Sequence, residues 1–240
     1  MNPILTCQHV TVRYGPEAPA IIKDISLDIG RSERVALLGL NGSGKTTLLY
    51  ACVGLIPFDG AITVGDIPLS EKTAGTIRND VGFLFSVPDD QILFPSVIDD
   101  IAFTLERRGL PRAEARLRSR PLMERLGIAH LASDSPHRLS HGQLQRVALA
   151  GALVADPPLL LLDEPSLALD PLGQEELAVL LTALNAAMFI ATHHVDFVRR
   201  VCGRFIVLDD GEIVEDTVDF ERVAGYWCHR TVKNPPVKDG

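Results

Sequence analysis

At 240 residues, with 46% hydrophobic and 22% charged side chains, the chain suits one large α/β domain and is too apolar for wholesale disorder. Its formal charge of −8 argues against a general nucleic-acid binder, because phosphate backbones require clustered Lys and Arg. No apolar run approaches the ~18 residues of a spanning helix, and residues 1–6 lack the regions of a signal peptide. Cys7, Cys52, Cys202 and Cys228 form no C-x-x-C pair, so reduced thiols in a cytosolic setting are expected rather than a disulfide framework or zinc site.

Residues 4–29 alternate short β-like runs with turns. Val10, Val12 and Tyr14 fall at period two, residues 14–19 form a Gly/Pro loop, and residues 25–29 alternate as a half-buried strand. Residues 35–38 are a short apolar run that predicts a buried strand, and residues 47–52 predict a helix. Between them Gly39-Leu40-Asn41-Gly42-Ser43-Gly44-Lys45-Thr46 fits G-x-x-x-x-G-K-[ST], continuing into Thr47. Strand, glycine loop and helix form the setting in which that motif cradles phosphate. Its glycines permit a tight turn that exposes successive N–H groups, and the helix dipole adds attraction. Lys45 supplies a mobile charge for the terminal phosphates, and the Thr46 hydroxyl suits Mg²⁺.

Residues 61–64 predict another strand, followed by a Gly65-Asp66 turn. From about residue 97 to 153 the pattern is mostly helical, punctuated by Pro111 and Pro121. Arg107, Arg108, Arg112, Arg116, Arg118 and Arg120 are read as a solvated helical face. Leu144, Val147, Ala148, Gly151 and Ala152 make one helical stripe. Residues 159–162 are four leucines, as expected of a parallel strand covered on both faces. Asp170-Pro171 offers a helix cap and first-turn proline. Leu177, Leu180, Leu181 and Leu184 form the next stripe, residues 188–191 another buried strand, and residues 205–214 a hairpin turning at Asp-Gly. Residues 233–240 read as a tail.

The four leucines run straight into Asp163 and Glu164. A carboxylate at Asp163 suits the hydration shell of a hard cation. Glu164 beside it suits a general base that polarises water for attack on a γ-phosphorus. Leu139-Ser140-His141-Gly142-Gln143 precedes the amphipathic helix, residues 166–170 follow the acidic pair, and Thr192-His193 ends the next strand.

With these segments in this order, residues 4–217 strongly resemble the nucleotide-binding subunits of ATP-binding-cassette (ABC) proteins. The resemblance implies an α/β ABC ATPase fold: a P-loop, RecA-like core with an antiparallel β subdomain and a helical signature subdomain. It implies one domain over residues 1–232, with a split core at about 1–90 and 155–220 and a helical part at about 91–154. It assigns ATP binding to Tyr14 (by stacking on adenine), Gly39, Asn41, Gly42, Ser43, Gly44, Lys45, Thr46 and Thr47, and Mg²⁺ to Thr46 and Asp163. Glu164 and His193 take the catalytic positions, His193 contacting the γ-phosphate. For Tyr14 a plain strand aromatic remains the alternative, and His194, where relatives often carry Asp, is expected to be a bystander.

Ser140, His141, Gly142 and Gln143 resemble the signature, which in relatives reaches the nucleotide of the opposite subunit. A complete site then needs two chains head to tail, with Asp170 near their interface and a homodimer preferred. His141 stands where Gly is usual and is expected to lose freedom at φ > 0. Ser86 stands where relatives place a glutamine that touches Mg²⁺ and the attacking water; Gln91 matches a different position. Slower hydrolysis or altered coupling is expected from Ser86.

Pro88-Asp89-Asp90-Gln91-Ile92-Leu93-Phe94 and residues 97–103 resemble the ATPases of energy-coupling-factor (ECF) importers. That resemblance implies a groove near residues 86–105 for an integral membrane partner, no nucleic-acid partner, and a peripheral place on the cytoplasmic face of the membrane. The compact C-terminus better suits the metal or biotin systems than the long vitamin-system ATPases; cobalt or nickel is the expected cargo, with biotin or another vitamin as the alternative. A soluble, non-transport ABC ATPase and a nucleotide-binding scaffold with little turnover are the competing classes.

Overall fold

The computed structural model describes residues 2–15 and 17–225. The tail expected at 233–240 and the adjacent Cys228 and His229 lie outside the described residues. A sheet of six strands carries the architecture: β3 (Arg34–Leu38), β6 (Val81–Leu84), β7 (Leu159–Asp163), β8 (Ala187–Thr192), β9 (Arg204–Asp209) and β10 (Glu212–Thr217). Their spatial order is β10-β9-β3-β8-β7-β6. Every pair is parallel except the β9–β10 hairpin.

The leucine run explains itself in this sheet. Leu159 and Leu161 face one apolar cluster, while Leu160 and Leu162 face the other. All five residues of β7 and all six of β8 are buried, as strands covered on both faces require. Truncating such a leucine to alanine costs about 2–5 kcal/mol.

One cover is a four-stranded antiparallel sheet of β1 (Leu5–Val12), β2 (Ile22–Ile29), β4 (Asp59–Val64) and β5 (Ile67–Pro68), ordered β2-β1-β4-β5, together with α1 (Lys45–Cys52). Cys7 and Cys52 meet there as buried free thiols, Sγ to Sγ 3.9 Å. After α2 (Ala74–Asp80) and β6 come α3 (Val97–Arg107), α4 (Arg112–Arg125) and α5 (His141–Leu153), all ahead of β7; α6 (Pro171–Thr182) and α7 (Val195–Val201) follow it. Residues of α3, α5, α6 and α7 form the second cover.

Two local expectations are corrected. Tyr14 does not continue β1, which ends at Val12. Pro121 does not end its helix, because α4 runs through it. The carbonyl four residues back belongs to Leu117, which is 67% exposed, so water can replace the missing donor. The arginine face is solvated as expected, with Arg107, Arg108, Arg112, Arg118 and Arg120 exposed and Arg116 half-buried, and several of these side chains also pair within the chain. Arg112 and Arg116 converge on buried Asp99, Arg108 reaches the Asn79 and Ala155 carbonyls, and Arg118 pairs with Glu114. No helix among the described residues is long and apolar enough to cross a membrane.

Candidate nucleotide site

The glycine loop leaves the end of β3 and enters α1 at Lys45. Gly42 has φ 84° and Gly44, the cap of α1, has φ 104°, a region side chains rarely adopt. A Cβ at Gly44 would press Ile22 Cδ1 at 2.7 Å, whereas one at Gly42 would meet no protein atom within 4 Å. Gly44 is thus required by both conformation and packing, and Gly42 by conformation alone. Asn41 and Gly42 are exposed at the loop tip. Ser43 is buried and its Oγ has no hydrogen-bond partner.

Lys45 is buried against its own loop, donating to the Gly39 carbonyl at 2.8 Å and to that of Leu40 at 3.2 Å. Burial lowers its pKa, while Glu164 and Asp163 pull it back up. Thr46 donates its hydroxyl to Asp163 Oδ2 at 2.6 Å. The other Asp163 oxygen, Oδ1, is buried with no partner. Burial raises the pKa of Asp163, and the hydroxyls of Thr46 and Ser86 oppose that shift by favouring the charged form.

Thr47, on the next position of α1, lies 3.2 Å from the Tyr14 hydroxyl through its Oγ1. The Tyr14 ring is otherwise 63% exposed and borders a cleft of about 690 Å³ shared with Arg13, Phe58 and Asp59. A ring tethered by its hydroxyl and open on its face is suited to stacking.

Glu164 follows β7 with φ 49°, in the left-handed region that costs a non-glycine residue about 1–3 kcal/mol. Both its carboxylate oxygens are held from the end of β8. The Thr192 hydroxyl donates to Oε2 at 2.7 Å, and His193 Nδ1 lies 2.8 Å from Oε1. Thr192 is fully buried, and a hydroxyl residue closing an apolar strand is the sequence signal for it. His194 packs beside this group: its Nδ1 is 3.0 Å from Ser166 Oγ, and its ring meets that of His193 edge-on at 4.4 Å. Burial and then the adjacent His193 lower its pKa, with Glu164 acting the other way.

Ser140 and Gln143 lie apart from this group and close a capping box on α5. Ser140 Oγ accepts from Gln143 N at 3.3 Å, and Ser140 N donates to Gln143 Oε1 at 2.9 Å. His141 and Gly142 begin that helix. The expected penalty at His141 is not found, since it has no positive φ and a helical first turn accepts any Cβ. Asp170 caps α6 by accepting from Gly173 N at 2.7 Å. Gln91 is taken up elsewhere: it accepts from Phe85 N at 3.2 Å and donates to the Ala148 carbonyl at 2.8 Å, tying β6 to α5.

The ABC transporter family model matches residues 22–167. The energy-coupling factor transporter ATP-binding protein EcfA1 of Lactiplantibacillus plantarum is 39% identical over 223 residues, covering 90% of this chain and 79% of its own length. Among solved structures, cbiO1 of Clostridium perfringens, part of the cbiONQ ABC transporter complex, is 33% identical with a TM-score of 0.81, covering 98% of this chain and 96% of that one. A dimeric ATP-binding cassette in a post-hydrolysis state bound to ADP and Pi is 29% identical with a TM-score of 0.81, over 89% and 97% of the two chains. With the family model over more than half of its length and these relatives over most of it, the chain belongs to the ABC transporter family as an ATP-binding ATPase.

Proposed function

We propose that the chain is the ATP-hydrolysing subunit of an ECF-type importer, carrying cobalt or nickel ions. The reading takes residues 1–232 as one ATPase domain, with 91–154 as its helical part. The observation that carries it is the convergence of Thr46 from the first turn of α1, Asp163 and Glu164 from the end of β7, and His193 from the end of β8. Similarity to EcfA1 and to cbiO1 supports the ECF class. The Pro88-Asp89-Asp90-Gln91 stretch supports it too.

In this reading the loop N–H groups and Lys45 bind the β- and γ-phosphates, and Tyr14 stacks on adenine. The residues present fit Mg²⁺: the unpartnered Asp163 Oδ1 and the Thr46 hydroxyl are oxygen donors of the kind a hard cation takes. When bound, Mg²⁺ neutralises charge on the phosphate oxygens. Glu164 orients and polarises the attacking water, and His193 contacts the γ-phosphate. Ser140 and its neighbours, solvent-facing at the start of α5, complete the site of a second copy.

A cleft of about 170 Å³ between β6, α3 and α5, lined by Phe85, Gln91, Leu93, Phe103 and Arg107, receives the membrane partner. Leu93 at its edge is 74% exposed. The assembly would place the chain on the cytoplasmic face of the membrane.

The test is hydrolysis by the purified chain, recovery with integral membrane proteins, and cellular uptake of labelled cobalt, nickel and biotin. Turnover lost in Glu164→Gln, membrane co-purification and metal uptake support the reading. Vitamin uptake would move the cargo, and purification without membrane proteins would favour a soluble ATPase.

A further inference from the structure

Glu164 is held by consecutive residues of one strand end. Its N–H donates to the Ala191 carbonyl at 2.8 Å, Thr192 bonds Oε2, and His193 faces Oε1. The two carboxylate contacts differ in kind. His193 is 34% exposed at its side chain, on a residue beyond the end of β8. Thr192 is fully buried inside β8, where Leu38 of β3 is its neighbour across the sheet. Its β-branched side chain has few rotamers.

The direction of the Thr192 bond is also fixed. The His194 N–H donates to Thr192 Oγ1 at 3.1 Å, so a lone pair is occupied. The single hydroxyl proton is left for Glu164 Oε2, an acceptor at 2.7 Å. A bond to an ionised acceptor is of the stronger class. A base on water needs one free carboxylate oxygen in a defined place, and a residue at φ 49° needs its surroundings to hold it there.

We propose that Thr192 is a positioning residue for hydrolysis, clamping Glu164 through Oε2 so that Oε1 alone exchanges between His193 and the attacking water. This rests on the assignment of Glu164 as the base. Thr192 touches no substrate and acts only through Glu164. The clamp stays while His193 turns to the γ-phosphate, so the base keeps its aim when its second partner leaves.

The experiment compares steady-state ATP hydrolysis and Mg-ATP binding for the wild-type chain, Thr192→Val, Thr192→Ser and Glu164→Gln. Valine keeps the shape and removes both hydrogen bonds; serine keeps the hydroxyl. Thr192→Val is expected to lower kcat by about 10–100-fold, the scale of a misplaced catalytic group, with KM and nucleotide affinity nearly unchanged. Thr192→Ser is expected to recover most of kcat. Added to Glu164→Gln, the valine should change single-turnover rates little, because the two act as a unit. A valine variant that keeps wild-type kcat, or whose loss matches a loss of ATP binding, overturns the clamp. If valine does not fold, Thr192→Cys, a weak donor of similar size, carries the same comparison. Wild-type turnover equal to that of Glu164→Gln would instead defeat the assignment of the base.

Discussion

Thr46 Oγ1 and Asp163 Oδ2 stand 2.6 Å apart although 117 residues separate them in the chain. The sheet order brings them together: β3 and β7 both flank β8, so the segments leaving their C-terminal ends emerge on the same side of the sheet. Asp163→Asn keeps the shape but removes the charge that meets Thr46 and, in the proposed reading, the cation. Hydrolysis should fall by about 10–100-fold, with a higher Mg²⁺ requirement. A magnesium titration of the ATPase rate checks this; an unchanged midpoint would remove Asp163 from the metal site.

The exposed Tyr14 ring should carry part of the ATP affinity. Tyr14→Ala loses a stacking platform worth about 1–3 kcal/mol, so KM for ATP should rise while kcat holds. Tyr14→Phe loses only the contact with Thr47 and should stay near wild type. Fluorescent-nucleotide binding separates the two, and equal affinity in the alanine variant would sink the stacking role.

Pairing of two chains should follow nucleotide. Glu164→Gln with Mg-ATP is expected to run as a dimer in size-exclusion chromatography with light scattering, because binding is kept and turnover is blocked. Lys45→Ala should remain monomeric if its ammonium is the loop's charge for phosphate, as proposed. A Glu164→Gln chain that stays monomeric with ATP and with its membrane partners contradicts the two-chain site.

His194 makes stability depend on pH in a definite direction. Burial and the neighbouring His193 hold its pKa below the ordinary 6.5, so the fold disfavours the imidazolium. Its contribution is whole above about pH 6.5 and is lost as pH falls through the folded value. The thermal midpoint should drop on acidification below that point, and His194→Asn should show a shallower drop. Parallel melting curves against pH for the two chains decide the matter.

Ser86 lies beside Asp163 and is shorter than the glutamine that the family resemblance implies at this position. Ser86→Gln should raise kcat at unchanged ATP affinity. An identical rate would show that Ser86 does not limit hydrolysis.

Much of the site was legible in the residues: the phosphate loop, the leucines ending in Asp163 and Glu164, and the Asp170 cap are local, set by spacing, backbone freedom and apolar runs. The burial of alternate leucines on opposite sheet faces likewise follows from a period of two. Contacts between distant segments were not legible in this way. That Thr192 grips Glu164, that His194 meets Ser166, and that Gln91 ties β6 to α5 depend on which strands lie side by side. Local patterns misplaced Pro121 and Tyr14 and overstated the strain at His141, because water access and helix register settle those positions. Residue types and their spacing thus determine that this chain cradles phosphate. Only the packed sheet decides how Glu164 is held, since hydrogen bonds across tens of residues exist once strand neighbours are chosen.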